Sequence, residues 1–184
     1  MRKLKQYMEL FKLKQSFLLV LSGVFGYLIA AGTDINWSIL GLFLLASILS
    51  ECGTTGINMY FDKDIDAQMF RTMNRPLPAQ KLDPIEAHAV SLIMTWIGVA
   101  IGFMINFWVG VTILIGYIVD AYVYSALLKR RTPLNIVIGA IAGGMPILGG
   151  YIAYTGSPDI KGIILSLLIM IWACLLYTSD AADD

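Results

Sequence analysis

Asn58, Asp62 and Asp66 stand four residues apart in the stretch NMYFDKDIDAQMFRTMNRPLP, residues 58–78. On a helix that spacing stacks all three on one face, and Glu51 and Thr55 extend the face backwards into an apolar run. Like charges so placed repel unless a cation sits between them. Carboxylate and amide oxygens without thiols suit a hard ion such as Mg²⁺, which keeps waters and often bridges to substrate phosphates. Arg71 and Arg75 follow on a turn closed by Pro76 and Pro78, and guanidinium groups are planar, bidentate phosphate donors. Ordinary charge mixing at a solvated helix end is the plainer reading. The spacing, the asparagine and the trailing arginine pair together favour a site for a metal and a phosphate.

The elements that must hold this face are membrane spans. Of 184 residues 58% are hydrophobic and 14% charged, with a mean hydropathy of +0.73, outside the range of a soluble domain. The formal net charge is zero, so no field for nucleic acid is implied. Residues 1–14 are basic and amphipathic, the pattern of an interfacial helix. Six spans are expected, each about 20 residues long. They run from about Gln15 to Ala31, Trp37 to Phe61, Pro84 to Asn106, Trp108 to Leu128, Pro133 to Thr155, and onward from Ile160. Residues 67–83 form a polar loop, and Asp83-Pro84 is a cap followed by a first-turn proline. The fold class is therefore all-α, a polytopic transmembrane helical bundle. All of the thirteen Lys and Arg except Lys161 then fall on one side. The positive-inside rule puts the N-terminus, the acidic motif and Lys129-Arg130-Arg131 in the cytoplasm of a multi-pass cell-membrane protein, where motif and cluster can share a site.

Three further features stand out. Span five is rich in small residues, with a GxxxG pair at Gly139 and Gly143 that permits close helix approach, and Pro146 implies a kink or an opened backbone. Asp120 lies mid-span beside Tyr117 and Tyr124. An intramembrane aspartate is a functional candidate by default, although pairing with a tyrosine or cover from another helix is the favoured reading. His88 reads as a surface histidine at a helix end, with iron ligation the other role open to it. Cys52 and Cys174 lie in apolar runs and read as packing residues, not a disulfide.

The stretch 58–78 resembles the first aspartate-rich motif, N-x-x-x-D-x-x-x-D, of the UbiA superfamily of intramembrane prenyltransferases. Its form N-x-Y-x-D-x-D-I-D followed by R-T-x-N-R-P-L-P is most similar to the heme-farnesylating branch. Residues 127–151, LLKRRTPLNIVIGAIAGGMPILGGY, resemble the same branch. The resemblance covers nearly all of residues 8–173. It implies a nine-span bundle around a central cavity and Mg²⁺-dependent transfer of a farnesyl group from farnesyl diphosphate to a vinyl group of heme B. The product would be heme O, with a link to assembly of a heme-copper oxidase. By resemblance Asn58, Asp62 and Asp66 hold the metal. Asn58, Arg71, Arg75, Lys129 and Arg130 bind the diphosphate, and Asp62, Asp66, Arg71 and Arg75 are the catalytic set. Metal and cations at a departing diphosphate lower the barrier to ionisation. The glycines 139, 143, 144, 149 and 150 would leave a bare wall for a flat porphyrin.

The chain departs from the family at the entry to span one, which reads Phe11-Lys12-Leu13-Lys14-Gln15 where Thr-Lys-Pro-Arg is usual. It also lacks the family's second aspartate-rich motif. The closing string CLLYTSDAADD matches a reading-frame translation of a sequencing adapter. Residues 1–173 are thus read as a partial UbiA-type membrane domain and 174–184 as a non-native tail, and the fragment alone is expected to be inactive. Two other functions remain open. One is prenyl transfer to a quinone precursor or lipid. The other is cation transport through Asp62, Asp66 and Glu51, which the neighbouring arginines oppose.

Overall fold

A computed structural model describes residues 2–129 and 135–180. Every element among them is helical: α1 Arg2–Leu10, α2 Leu13–Ala31, α3 Trp37–Asp66, α4 Pro84–Ile105, α5 Phe107–Tyr117, a π-helical segment Ile118–Leu128, α6 Asn135–Thr155 and α7 Ile160–Asp180. The starts are set by capping side chains. Asn36 Oδ1 accepts from the amides of Ser38 and Ile39, Asp83 Oδ1 from Glu86, and Asn106 Oδ1 from Trp108. Each satisfies amides that the first helical turn leaves open. Pro84 follows its cap as expected.

Five helical stretches among the described residues are long and apolar enough to cross a membrane, α5 counting together with the π segment. The sequence leads one to expect six. The sixth expected span falls on α7, Ile160–Asp180, whose apolar stretch is described over Ile160–Leu175. The protein is a multi-pass membrane protein, and its exposed rings and aliphatic side chains, Phe25, Trp96 and Trp172 among them, face the place of lipid. Cys52 and Cys174 are free thiols.

Close packing depends on small residues. A Cβ on Gly150 or Gly26 would strike the backbone carbonyl of Gly23 or Ile147, so α2 and α6 touch main chain to main chain. Gly53 and Gly98 do the same for α3 against α4, and Gly56 makes room for the Ser91 side chain. The principal core gathers Tyr27, Phe43, Val109 and Ile152 from α2, α3, α5 and α6. A second joins Leu10 of α1 to Met59, Leu77, Leu82 and Ala87. This cluster fixes the N-terminal helix and the 67–83 loop beside the end of α3. At the opposite end Tyr154 donates to Asp34 at 3.2 Å.

α3 is 30 residues long, about 45 Å at 1.5 Å per residue, against about 30 Å of hydrocarbon. Its charged last turns therefore stand at the rim of the bundle while the polar residues below remain inside.

Candidate functional site

α3 carries one polar stripe. Ser47, Ser50, Glu51, Thr54, Thr55 and Asn58 line a cavity of about 250 Å³, and Asp62 and Asp66 continue the stripe at the rim. The facing wall comes from Thr112, Gly116, Tyr117, Asp120 and Tyr124. Gly139, Ala142, Gly143, Pro146 and Gly149 of α6 form the third wall. α6 runs through Pro146 as helix, and the carbonyl of Ala142 four residues back loses its helical donor there.

Both rim carboxylates are buried, Asp62 to 6% exposure and Asp66 to 5%, and each has a cation. Lys129 Nζ lies 2.6 Å from Asp62 Oδ2, and Arg75 Nη1 lies 2.7 Å from Asp66 Oδ2. Thr72 Oγ1 donates to the carbonyl of Asp66 at 3.0 Å, which pins the loop that delivers Arg75. Asp64 is exposed on the opposite face, as the helical spacing demands. Arg71 is exposed as well and makes none of the ion pairs among the described residues. Arg130 lies outside the described residues.

Asn58 donates from Nδ2 to Asp120 Oδ2 at 2.6 Å. Asp120 is thus met by another helix, α3, while Tyr117 pairs with Tyr122 at 3.0 Å. The bond to Asp120 turns Asn58 Oδ1 away from it, and the oxygen is buried without a hydrogen-bond partner among the described residues. A buried, unpaired acceptor beside two carboxylates fits a cation. Among the described residues no three His, Cys, Asp or Glu side chains form a complete metal cage. Asp62, Asp66 and the Asn58 oxygen share one helical face and are hard oxygen donors, the type Mg²⁺ takes alongside water and phosphate.

The π segment decides which side chains meet. Lys129 lies nine residues after Asp120, half a turn away in an α-helix of about 3.6 residues per turn. A π-helix, with about 4.4 residues per turn, returns both to one face. The amide of Lys129 donates to the carbonyl of Tyr124 at 2.9 Å, the wide-turn bond. Sequence periodicity led to one regular span here and carried no sign of this widening.

Lys12 is the residue that sequence reasoning passed over. It occupies the position before α2 in a left-handed conformation, φ 43°, with no capping bond from its side chain. Ser16 Oγ, one turn on, lies 3.4 Å from Thr55 Oγ1 of α3. The half-buried amine joins the charged rim. Burial holds its pKa below the usual lysine value, with Arg75 and Lys129 pushing the same way and Asp62 and Asp66 opposing. The available signal was its position just before the first apolar run.

Two other expectations concern the cavity. His88 is half-buried, stacked on Tyr60 at 4.3 Å with Nδ1 buried and unpartnered. It is partly exposed and does not line the cavity. Of the five glycines expected to form a bare wall, 139, 143 and 149 line the cavity. Gly144 packs on Ser166 and Met170 of α7 and Gly150 on Gly23 of α2, because α6 has neighbours on those faces.

Residues 19–184 match the model of the UbiA prenyltransferase family. The chain is similar to a protoheme IX farnesyltransferase of Thermofilum pendens, 45% identical over 93% of this chain and 60% of the relative. A namesake of Aeropyrum pernix is 42% identical over 92% of this chain and 56% of the relative. The chain thus spans less than two thirds of the length of these relatives. Among solved structures it superimposes with a TM-score of 0.84 on one from work on digeranylgeranylglyceryl phosphate synthase, at 27% identity over 95% of this chain and 61% of that one. A UbiA homologue from Archaeoglobus fulgidus, bound to DMAPP and Mg²⁺, gives 0.82 at 18% identity over 96% and 62%, a likeness of fold.

Proposed function

The chain belongs to the UbiA prenyltransferase family, and from that premise we propose that the whole protein transfers a farnesyl group from farnesyl diphosphate to a vinyl group of heme B, giving heme O. One observation carries the chemistry: two buried carboxylates, each paired with a cation, sit at the mouth of a cavity lined by both hydroxyl-bearing and apolar side chains. The choice of heme as acceptor rests on the relatives at 42–45% identity, which bear that name.

Asp62, Asp66 and the Asn58 amide oxygen would hold Mg²⁺, which when bound would supply positive charge for a leaving diphosphate. Lys129 and Arg75 would then turn from the carboxylates to the phosphate oxygens, with Lys12 beside them and Arg71 and Arg130 as outer cations. Ionisation of the allylic diphosphate builds negative charge at this rim, where cations held in place stabilise it. Below the rim, Phe43, Leu19, Ile113 and Met145 would exclude water from the allylic cation. Residues 1–173 would form part of the family's bundle. The N-terminus and the rim would face the cytoplasm, and the product would serve a heme-copper oxidase.

Expression of the full-length protein in a host without this activity, followed by mass analysis of extracted hemes, tests the reading. A heme heavier by a farnesyl group plus water is expected. An unmodified heme with a prenylated quinone precursor or lipid would move the protein to another branch of the family. Reporters fused at residue 72 should be cytoplasmic, and at 34 and 157 external. An external reporter at 72 would invert the map.

A further inference from the structure

Prenyl transfer to a vinyl group leaves a second problem after the carbon–carbon bond has formed, and the cavity contains a group that fits it. Glu51 lines the cavity and, among the described residues, has no hydrogen-bond or ion-pair partner. An unpaired carboxylate inside a membrane-spanning helix is costly and is satisfied only by what enters the cavity beside it. Around it on α3 stand Ser47, Ser50, Thr54 and Thr55, all facing the same space. Asp120 lies across the cavity, but Asn58 already holds it at 2.6 Å. Tyr117 is held by Tyr122. Glu51 is the free carboxylate of this belt, two helical turns and about 10 Å below Asn58.

We infer that Glu51 accepts the proton of the water that hydroxylates the acceptor. The inference rests on the heme-farnesylating reading above. The C1–oxygen bond of farnesyl diphosphate breaks, and its electron pair leaves with the diphosphate. The allylic cation takes the vinyl π electrons, forming a bond from C1 to the terminal vinyl carbon. Positive charge moves to the vinyl carbon attached to the macrocycle. A water oxygen bonds to that carbon while one of its protons passes to the Glu51 carboxylate and later to solvent. The sum is farnesyl diphosphate, heme B and water going to heme O, diphosphate and a proton.

An acceptor seated between the rim and Glu51 would keep this water from the first cation, because Glu51 stands about 10 Å along α3 from Asn58. Loss of a proton from the second cation, giving an alkene in place of the alcohol, is the competing fate when no base orients water.

The experiment compares the full-length wild type with E51Q and E51D, given farnesyl diphosphate and heme B, measuring diphosphate release and heme masses together. E51Q should release diphosphate at close to the wild-type rate while its hydroxylated product falls at least about tenfold, within the range general bases contribute. Farnesylated heme lacking the added water should replace it. E51D should restore part of the alcohol. Wild-type product composition in E51Q overturns the inference. So does a parallel fall in diphosphate release and alcohol, or an inactive E51Q protein, since the role argued leaves ionisation intact. A wild type that farnesylates no heme overturns the functional reading itself, and this inference with it.

Discussion

Lys129 and Asp62, 67 residues apart in the chain, meet at 2.6 Å across the rim of the cavity. The pair exists because α3 extends beyond the hydrocarbon and because the π segment turns Lys129 back toward it. Both ends are held: Asp62 is buried at 6% exposure, and Lys129 also lies over the ring of Tyr124 at 5.8 Å.

Replacing Asp62 or Asp66 with alanine in the full-length protein should lower prenyl transfer by at least about 10²-fold, the scale of losing one electrostatic stabiliser in a closed site. Asp64→Ala should change it only a few-fold, because Asp64 is exposed on the other face. Equal losses at all three positions in a product assay would show that the site does not depend on this helical face.

Deleting Val123 should return the π segment toward α geometry and swing Lys129 away from Asp62 by roughly 60°, because eight α-helical steps of about 100° replace nine π-helical steps of about 82°. The expected result is a rise in KM for the prenyl diphosphate matching that of Lys129→Met, even though the lysine is still present. A deletion variant with wild-type KM would show that the widened turn does not position the amine.

Lys12 makes a prediction about pH. Burial and the Arg75 and Lys129 charges lower its pKa from the usual lysine value. The folded protein therefore loses this proton at a lower pH than the unfolded chain does. Between the lowered folded value and the unfolded value the unfolded state binds more protons, so stability rises with pH across that window and the Lys12 burden is felt below it. The effect on diphosphate binding has the opposite sign: affinity should weaken as pH rises through the lowered pKa, because the cation is lost. Lys12→Arg, charged throughout, should flatten the alkaline limb of a KM–pH profile. An unchanged limb would remove Lys12 from the site.

Gly150 and Gly143 should behave differently although both belong to the same helix. A Cβ at Gly150 meets the carbonyl of Gly23, whereas one at Gly143 meets nothing within 4 Å. Gly150→Ala should cost about 1–3 kcal/mol or more by overpacking, read as a lower unfolding temperature in detergent. Gly143→Leu should leave that temperature nearly unchanged and reduce acceptor use by narrowing the cavity. The reverse ranking would mean that the two faces of α6 are misassigned.

Chain composition and local pattern alone determined the membrane class, the span starts at Trp37 and Pro84, the polar loop at 67–83 and the face shared by Asn58, Asp62 and Asp66. Each of these depends on hydropathy, capping or helical spacing, interactions that act within a few residues and so are written in consecutive letters. Tertiary structure alone decided that Asn58 bonds Asp120, that Lys12 and not Arg71 joins the rim, and that Gly144 and Gly150 serve packing while Gly143 faces the cavity. Those outcomes depend on which neighbour stands opposite a given face. For Lys129 they depend on a widened helical turn that changes the direction of a side chain without changing the hydropathy pattern that encodes the span.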